Sequence, residues 1–457
     1  MMKVQSQTLT MLETYENDPV AWAESVLGVR LWSMQREILE SVFENRKTVV
    51  RSCHSTGKTF VAAVTVLAFL FLRQPCKIIT TAPGWRQVKD LLWSEINYLF
   101  KTRLQEGVTK HPGRILKTRL EIEDDWFAAG ISSKDAVNFQ GFHQENVLVV
   151  FDEAPGVRQA VYEGADSLGA SGNVHFLWIG NPTEAAGPFY KAFSDPTVKG
   201  KYHIGYKNTP NFTGEKLPEH IKKELISETY VEEKRNEWGE TSPLYMSRVL
   251  GDFPDSTPDQ IISLKSCEEA ATRDVLPEGE KELGVDVGAG GDLSAYSIKH
   301  GNVITEVITE STPEPSQIEG SIVALHNKHH FKVIKIDKTG IGWGVVGHLK
   351  DLGLPVVGIG SSGDARDKEQ YQNKRTEMWF NMRDWLRHGR IPNDDNLFAD
   401  LIAPKSIPNP TTGRLQVEKK IDTKKRIGHS PDRGDSCIYA IQNESAKDDV
   451  FFAVVGN

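Results

Sequence analysis

The segment that most constrains how this chain folds is Ser52–Thr59, which reads Ser-Cys-His-Ser-Thr-Gly-Lys-Thr. A short apolar strand, Thr48 to Arg51, precedes it, and an apolar helix, Thr59 to Leu72, is expected to follow. In such a loop the backbone N–H groups at the start of the helix point towards one spot, where the helix dipole favours an anion. The pattern therefore predicts a phosphate-binding turn between a buried strand and a buried helix.

A second segment supplies the acidic groups that such a turn needs for chemistry. An apolar strand, Val147 to Phe151, is followed directly by Asp152 and Glu153. Lys58 is expected to neutralise phosphoryl charge, while the Thr59 hydroxyl and Asp152 hold Mg²⁺, the aspartate through water. Glu153 is placed to polarise the attacking water as a general base. Together the two segments predict ATP hydrolysis.

The phosphate loop itself supplies most of the expected nucleotide contacts. We expect Ser55, Thr56 and Gly57 to line the phosphates with their backbone N–H groups. Ser52 stands where phosphate loops usually have their first glycine. His54 either donates to a phosphate or merely fills a loop position, and the sequence leaves both possibilities open.

Two positions outside the loop are also predicted to contact the nucleotide. Gln35 can pair with an adenine edge, although a solvated glutamine on a helix is the ordinary alternative. Asn181 and Thr183 follow the apolar strand His175 to Ile179, and either could sense the γ-phosphate. A plain turn explains that segment about equally well.

Apolar strands alternate with helical stretches along the first half of the chain. Cys76 to Thr81 is predicted as a further buried strand and Gln87 to Phe100 as a helix. This alternation predicts an α/β fold with a mostly parallel sheet and helices on both faces. Because residues 254–280 are rich in proline and charge, we expect an ATPase domain over 1–255, a linker over 256–279 and a second domain over 280–457.

The second half of the chain carries acids at strand ends and at a helix start. Asp286 and Asp337 each belong to a short apolar strand, and Asp432 lies near the start of a helix. A buried carboxylate is costly unless it is paired, and acids from neighbouring elements can hold two metal ions about 3.5–4 Å apart for phosphodiester cleavage. Asp292 and Asp435 are possible accessory ligands. The set predicts a metal-dependent nuclease.

Two surface features bear on DNA contact. The glycine-rich turn Thr339–Gly344 follows Asp337 and could approach a DNA backbone. The basic stretch between residues 414 and 426 is as compatible with a solvated hairpin as with a DNA-facing surface. The net charge of −8 does not decide the matter, because DNA binding needs only a local basic surface.

Composition limits the compartment and the class of protein. The sequence holds no apolar run of about 18 residues or more, so no membrane contact is expected. The four cysteines are scattered and include no C-x-x-C pair. That usage argues against a zinc site or a disulfide framework and favours a reducing cytoplasm.

On these residues the chain resembles the large subunits of tailed-bacteriophage terminases. The resemblance is carried by Gln35, Ser52–Thr59, Asp152 with Glu153, Gly180–Thr183, and the stretch from Arg414 to Asp435. It implies an N-terminal P-loop ATPase of the ASCE type and a C-terminal RNase H-like nuclease with a mixed sheet. It also implies ATP and Mg²⁺ at the first site, and two Mg²⁺ or Mn²⁺ ions at the second, held by Asp286, Asp337 and Asp432.

The resemblance further implies a biological role. ATP hydrolysis would drive double-stranded DNA into a procapsid, and the nuclease would cut concatemeric DNA when packaging starts and ends. The implied partners are a portal protein and a small terminase subunit. The chain would work as a ring homo-oligomer docked on the procapsid in the host cytoplasm, and would be absent from the mature virion. No coiled-coil pattern is present, which is compatible with a monomer in solution.

Some alternatives stay open at this point. A ring motor is expected to use an arginine from a neighbouring subunit, and Arg86, Arg158 and Arg248 are candidates. A cellular helicase-like translocase with a fused nuclease is a rival reading, but nothing between residues 184 and 280 supplies a second motor domain. An assembly factor with an inactive nuclease is another, against which the retention of all three acids argues.

Overall fold

The computed structural model describes residues 14–104, 113–132, 142, 144–169, 173–254, 259–288, 292–312, 314–407, 409 and 412–443. The chain divides into two compact units, Met1–Asp255 and Ser256–Asn457. Among the described residues, none of the helices combines the length and the apolar character needed to cross a bilayer.

The first unit is built on an eight-stranded sheet with the order β3-β4-β5-β2-β6-β7-β1-β8. Five neighbouring strand pairs, from β5 to β8, are parallel, whereas the pairs β3–β4 and β4–β5 are antiparallel. The strands are β1 (Lys47–Ser52), β2 (Cys76–Thr81), β3 (Arg114–Ile115), β4 (Arg119–Glu123), β5 (Trp126–Gly130), β6 (Asn146–Asp152), β7 (Asn173–Gly180) and β8 (Gly200–Ile204).

Helices flank this sheet and complete the unit. The α-helices are α1 (Pro19–Val26), α2 (Ser33–Glu44), α3 (Lys58–Leu72), α4 (Trp93–Tyr98), α5 (Gln159–Leu168), α6 (Gly187–Ser194), α7 (Pro210–Thr213), α8 (Glu219–Lys222), α9 (Glu228–Trp238) and α10 (Pro243–Tyr245). Wider π-helical turns continue α4 on both sides, over Gln87–Leu92 and Leu99–Leu104, and a third follows α10 over Met246–Leu250. Helix α3 is apolar on every face and is buried from Val61 to Leu72, as expected of a helix enclosed by its neighbours.

The strand order places the two sequence motifs of the first half at one edge of the sheet. Strand β7 lies between β1, which leads into the phosphate loop, and β6, which ends at Asp152. One strand between these two is the arrangement of an ASCE-type ATPase. Because the strands are parallel, with Arg51 opposite Gly180 and Asp152 opposite Ile179, their carboxyl ends meet at the same edge, where α/β sheets bind ligands.

The second unit is built on a five-stranded mixed sheet with the order β11-β10-β9-β12-β13. Strands β9, β10 and β11 are antiparallel neighbours, while β12 and β13 run parallel to β9. This is an RNase H-like arrangement, so the predicted α/β fold class is confirmed for both halves. The strands are β9 (Lys281–Asp286), β10 (Ser294–His300), β11 (Val303–Glu310), β12 (Val333–Asp337) and β13 (Val356–Ile359).

Seven α-helices accompany the second sheet in the described residues. They are α11 (Leu264–Thr272), α12 (Pro315–His329), α13 (Gly342–Asp351), α14 (Lys374–Trp385), α15 (Asp395–Ile402), α16 (Lys420–Ile427) and α17 (Asp432–Ala440). Helix α11 falls inside the region expected to be a linker, yet it buries Leu264, Cys267 and Ala270. Most of that region is therefore folded within the second unit, and residues 256–258 lie outside the described residues.

Helix α17 lies directly on the second sheet at a glycine. A Cβ atom on Gly284 of β9 would collide with backbone atoms of Ser436 and Ala440. The buried Lys335 of β12 donates to the carbonyl oxygens of Ala440, at 2.9 Å, and of Gln442, and it pairs with Glu282. These contacts fix the end of α17 opposite to the one that carries Asp432.

Candidate functional site

The phosphate loop connects β1 to α3 in a closed conformation. Ser55 and Gly57 adopt left-handed backbone conformations, with φ of 50° and 75°. The hydroxyls of Ser52 and Thr56 lie 2.6 Å apart, so Ser52, which replaces the usual glycine, closes the base of the loop. The Lys58 ammonium donates to the Cys53 carbonyl at 3.2 Å. The loop thus holds a cation and the first N–H groups of α3 at one place, with Thr59 in the first turn of the helix.

The acidic partner lies at the end of β6. Asp152 is 1% exposed, and its Oδ1 accepts from the Glu153 backbone N–H at 3.1 Å. Burial and the neighbouring Glu153 carboxylate raise the pKa of Asp152 to about 7, although the Lys58 ammonium offsets part of this rise. A buried, incompletely neutralised carboxylate opposite Lys58 and Thr59 is a donor set that fits Mg²⁺.

Backbone strain is concentrated at this site. Only Ser55, Glu153 and His330 have positive φ among the described residues other than glycine, and the first two lie in the phosphate loop and directly after Asp152. A left-handed conformation costs such residues free energy, and it is retained where surrounding structure imposes it, often at functional sites. The φ of 48° at Glu153 therefore supports its predicted role beside the phosphates.

Gln35 braces the phosphate loop in this structure. It is 4% exposed, and its Nε2 donates to the carbonyl oxygens of Thr56, at 3.3 Å, and Gly57, at 3.4 Å. Its Oε1 accepts from the Trp32 N–H at 3.4 Å. Both ends of the amide are thus engaged with protein backbone, and the contact with adenine stays a prediction.

The segment after β7 meets the phosphate loop through Asn181. The Asn181 amide donates to the Ser52 carbonyl at 2.6 Å, so this side chain ties β7 to the loop. The nearby Thr183 hydroxyl is buried and has no hydrogen-bond partner among the described residues. The sequence predicted a γ-phosphate contact for either residue, and the buried Thr183 hydroxyl suits that contact better than the engaged Asn181 amide.

Later segments of the first unit also bind the phosphate loop. The His54 N–H donates to the Arg248 carbonyl at 2.9 Å, the Cys53 N–H to Ile204 at 2.8 Å, and the Ile226 N–H to the Ser55 carbonyl at 2.9 Å. Burial lowers the pKa of His54 well below its usual value, and the Arg248 and Lys58 cations lower it further. His54 is therefore a neutral group inside the loop.

The three candidate arginines differ in position. Arg248 is 5% exposed and lies beside His54, so it packs against the phosphate loop of its own chain. Arg86 and Arg158 are exposed. Their exposure leaves these two arginines accessible for a contact with another subunit.

The second site gathers acids around a lysine that the sequence analysis did not single out as a site residue. The Lys420 ammonium lies 3.0 Å from Asp286, 3.3 Å from Asp432 and 2.9 Å from Asp435. All three carboxylates are at most 5% exposed. Asp286 ends β9, and the other two occupy the first turn of α17. The predicted acids Asp286 and Asp432 therefore do converge, with Asp435 as a third member.

The charges of this cluster are strongly coupled. Burial raises the pKa of Asp286 well above its usual range, Lys420 offsets part of the rise, and the Asp435 and Asp432 carboxylates add to it. Burial alone would lower the pKa of Lys420, but the surrounding carboxylates raise it above its usual value. One ammonium thus stabilises a pocket that would otherwise concentrate negative charge.

Asp337 is held by hydrogen bonds of its own, and its partner Tyr439 has a pKa raised by burial and by the Asp286, Asp337 and Asp435 carboxylates. Its Oδ1 accepts from the Thr339 N–H at 3.0 Å and from the Thr339 hydroxyl at 2.7 Å, and its Oδ2 accepts from the Tyr439 hydroxyl at 2.9 Å. Since β12 is parallel to β9, Asp337 is still at the same sheet edge as Asp286. The structure thus joins two of the three predicted acids through Lys420 and leaves Asp337 in a separate set of hydrogen bonds.

The donor chemistry of the second site suits a divalent cation. Within the described ranges, no group of three or more His, Cys, Asp or Glu residues is arranged to hold a metal ion. The cation among the acids is instead Lys420, which forms ion pairs with Asp432 Oδ1 and Asp435 Oδ2. Three buried carboxylates around one cation form the oxygen-rich environment that Mg²⁺ or Mn²⁺ requires, and a metal would compete with the ammonium for it.

Much of the basic stretch between residues 414 and 426 is engaged within the protein. Lys424 pairs with Asp292, and the role of Asp292 as an accessory ligand stays a prediction. Arg426 pairs with Glu418 and donates to the Ala403 carbonyl at 2.5 Å. Together with Lys420, three of its basic residues face protein groups, which favours a structural role over a DNA-facing surface for this stretch.

Two residues that the sequence did not indicate contact the acids from distant parts of the chain or from the far end of a helix. Asp400 on α15 is buried and accepts from the Arg433 N–H at 2.9 Å, so it binds the first turn of α17 beside Asp432. Tyr439 reaches Asp337 from the other end of the same helix. Neither Asp400 nor Tyr439 belongs to a local sequence motif. For Asp400 and for Lys420, the only signal in the sequence is a polar residue next to apolar ones.

Comparison with known proteins adds an independent view. The chain is 25% identical over 477 residues to the probable terminase large subunit of Enterobacteria phage P7, covering 96% of this chain and 94% of that protein. No family model matches the chain. The relative extends over nearly all of both proteins, and the predicted resemblance to large terminase subunits is confirmed.

Two groups of solved structures are similar over different parts of the chain. The large terminase of a thermophilic bacteriophage, in complex with ADP, is 12% identical with a TM-score of 0.43, covering 91% of this chain and 100% of that one. The nuclease domain of the large terminase subunit of the bacterial virus Sf6 is 16% identical with a TM-score of 0.37, covering 40% of this chain and 99% of that one.

Proposed function

We propose that this chain is the large subunit of a phage terminase, an ATPase that moves double-stranded DNA into a procapsid and a nuclease that cuts the concatemer at the start and end of packaging. The observation that carries the proposal is that a strained phosphate-binding site and a buried carboxylate cluster occur on two separate sheets of one chain. The relative from phage P7, which matches along nearly the whole chain, supports the same reading.

In the first site, the chain's own groups bind and orient the nucleotide. N–H groups of the loop from Ser55 to Thr59 and the Lys58 ammonium hold the β- and γ-phosphates, while Thr59 and Asp152 would hold Mg²⁺. The ion supplies charge neutralisation on the phosphates. Glu153, fixed in a left-handed conformation beside Asp152, accepts a proton from the attacking water. Arg248 and the Thr183 hydroxyl would respond to the γ-phosphate.

In the second site, the acids position the scissile phosphate and its attacking water. Asp286, Asp432 and Asp435 would hold Mg²⁺ or Mn²⁺, with Asp337 as the further ligand that the terminase resemblance implies. The metal ions supply water activation and stabilisation of the leaving oxygen. Lys420 keeps the carboxylates together and balances their charge.

The partners follow from the same proposal. Double-stranded DNA would be moved by the ATPase and cut by the nuclease, and a portal protein and a small terminase subunit would dock the motor and deliver the genome. We propose a ring homo-oligomer on the procapsid in the host cytoplasm. The exposed Arg86 and Arg158 are the residues to test as the arginine that one subunit offers to the next.

The test separates the two activities by point substitution. Glu153→Ala should bind ATP but lower its hydrolysis by about 10²-fold or more, because the general base is lost. Asp286→Ala should abolish plasmid cleavage in Mg²⁺ or Mn²⁺ and leave ATP hydrolysis intact. Near-normal hydrolysis by the first variant, or cleavage by the second, would contradict the assignment. Loss of both activities in one variant would instead indicate misfolding.

A further inference from the structure

Trp343 is an unusually exposed tryptophan. It is 71% exposed, the highest fraction among the large apolar side chains in the described part of the chain. By contrast Trp22, Trp32, Trp93 and Trp379 are fully buried. A solvent-exposed indole lacks the stabilisation that burying its large apolar surface would give, and exposed aromatic groups commonly mark a binding surface. Ile341, two residues earlier, is also exposed.

The turn that carries Trp343 is fixed against the acidic edge of the second sheet. Its Thr339 donates to Asp337, and a Cβ on Gly342 would collide with the Asp337 carbonyl oxygen. On its other side Gly342 lies next to Val287, the neighbour of Asp286, which a Cβ would approach to 3.7 Å. Trp343 therefore directly follows Gly342, which lies against the ends of the two strands that carry Asp286 and Asp337.

The helix surface next to Trp343 is open at two glycines. Gly344 and Gly347, on the same face of α13, are exposed, and a Cβ atom added to either would meet nothing within 4 Å. The exposed Lys338 lies across Gly358 and Gly360 at the same sheet edge. Where a helix face carries glycines, a bulky polyanion can approach the backbone closely, and a neighbouring lysine attracts its phosphate groups. DNA fits this combination of an aromatic, bare backbone and a cation.

We propose that Trp343 is a DNA-contacting wedge, which stacks on a base beside the scissile phosphate and unstacks the duplex there. Apolar and aromatic side chains that enter a base step bend or open DNA, and stacking on a base tolerates any sequence. The wedge would bring the phosphodiester of a paired duplex towards Asp286 and Asp337. This inference rests on the proposed nuclease function and specifies the state of the DNA that the site cuts.

The experiment compares Trp343→Ala, Trp343→Phe and wild type in the full chain. Two substrates are cleaved with Mn²⁺: a fully paired duplex, and the same duplex with a small internal bubble that is already unstacked. We expect Trp343→Ala to lower kcat/KM on the paired duplex about tenfold, equivalent to about 1.4 kcal/mol, with a much smaller loss on the bubble. Trp343→Phe should retain most of the activity, because it keeps an aromatic face.

Leu352→Ala is the matched control. Leu352 is 64% exposed and follows the last turn of α13, nine residues from Trp343 or about 13 Å along the helix axis. It should cleave both duplexes as wild type does. Equal cleavage of the paired duplex by Trp343→Ala and wild type, or an equal loss on both substrates, would overturn the proposal. So would a change in self-association with unchanged cleavage, which would identify the indole as a protein contact.

DNA affinity separates this inference from the proposed function on which it rests. Binding of the fluorescein-labelled paired duplex is measured by anisotropy without divalent metal, where no cleavage is expected. If wild type cuts neither substrate, the nuclease assignment fails, yet an affinity about tenfold weaker in Trp343→Ala than in wild type still supports the wedge. Equal affinities, or no binding by wild type, would overturn it.

Discussion

At the scale of single residues, burial determines which groups carry charge. His54 is neutral in the folded chain because burial, Arg248 and Lys58 lower its pKa well below its usual value of 6.5. The unfolded chain binds a proton to this histidine as the pH falls through about 6.5, whereas the folded chain does not. His54 therefore favours folding above that pH and disfavours it below.

This sign gives a test on the first unit. His54→Asn should flatten the loss of stability between pH 6.5 and pH 5, by at most about 1.4 kcal/mol per pH unit, since one proton is involved. Urea unfolding would be followed at several pH values, using the transition that ADP shifts to identify the unit. Parallel pH profiles for the variant and wild type would show that His54 is protonated in both states or in neither.

Residues with a local motif were predictable, and residues placed by the fold were not. Lys58, Thr59, Asp152 and Glu153 follow from a strand end and a loop, so their neighbours in sequence are also their neighbours in space. Lys420 reaches Asp286 across 134 positions, on a helix whose orientation no local pattern fixes.

Two side chains predicted to contact the nucleotide also have protein partners that the sequence did not reveal. The sequence offered adenine or solvent as the partner of Gln35, and in the structure its amide donates to the loop carbonyls of Thr56 and Gly57. Asn181 does the same for Ser52. Buried polar groups take the nearest available partner, and the sequence does not reveal which partner that is.

At the scale of secondary structure, the contact between α17 and β9 governs the second site. Gly284→Ala would force a methyl group into the backbone of α17 at Ser436 and Ala440. We expect a loss of about 1–3 kcal/mol in the stability of this unit, together with loss of DNA cleavage, because Asp432 and Asp435 move with the helix. ATP hydrolysis should remain.

Gly320→Ala is the matched control for that substitution. Gly320 lies within α12 of the same unit, and nothing lies within 4 Å of a Cβ placed there. Alanine should be neutral or slightly stabilising in a helix interior. Thermal unfolding and plasmid cleavage of both variants would be compared. Cleavage by Gly284→Ala at the wild-type rate would mean that the site tolerates displacement of the helix.

At the scale of the whole molecule, two sheets with separate cores predict two separable activities. A fragment from Ser256 to Asn457 contains the complete second sheet and all the clustered acids. We expect it to fold and to cut DNA with Mn²⁺ in the absence of ATP, and the same fragment with Asp286→Ala to be inactive. A folded fragment that cuts only after the first unit is added would show that catalysis needs both.

The overall architecture was the most predictable level. Alternating strands and helices indicate a parallel sheet wherever the chain repeats them, and that inference needs no side-chain geometry. The boundary between the two domains was harder to predict. Proline and charge at residues 254–280 indicate an irregular segment, but they do not reveal that α11 buries Cys267. Burial depends on distant elements, and composition records only the local sequence.

The phosphate loop has one mechanical property that its hydrogen bonds determine. Three consecutive residues, Cys53 to Ser55, are bonded to carbonyl or amide groups at Ile204, Arg248 and Ile226. Arg51, just before them, pairs with Asp252, close to where the chain leaves the first unit. The loop is thus tied directly to strand β8 and to two later segments of the same unit, so a displacement of the loop would displace those segments with it.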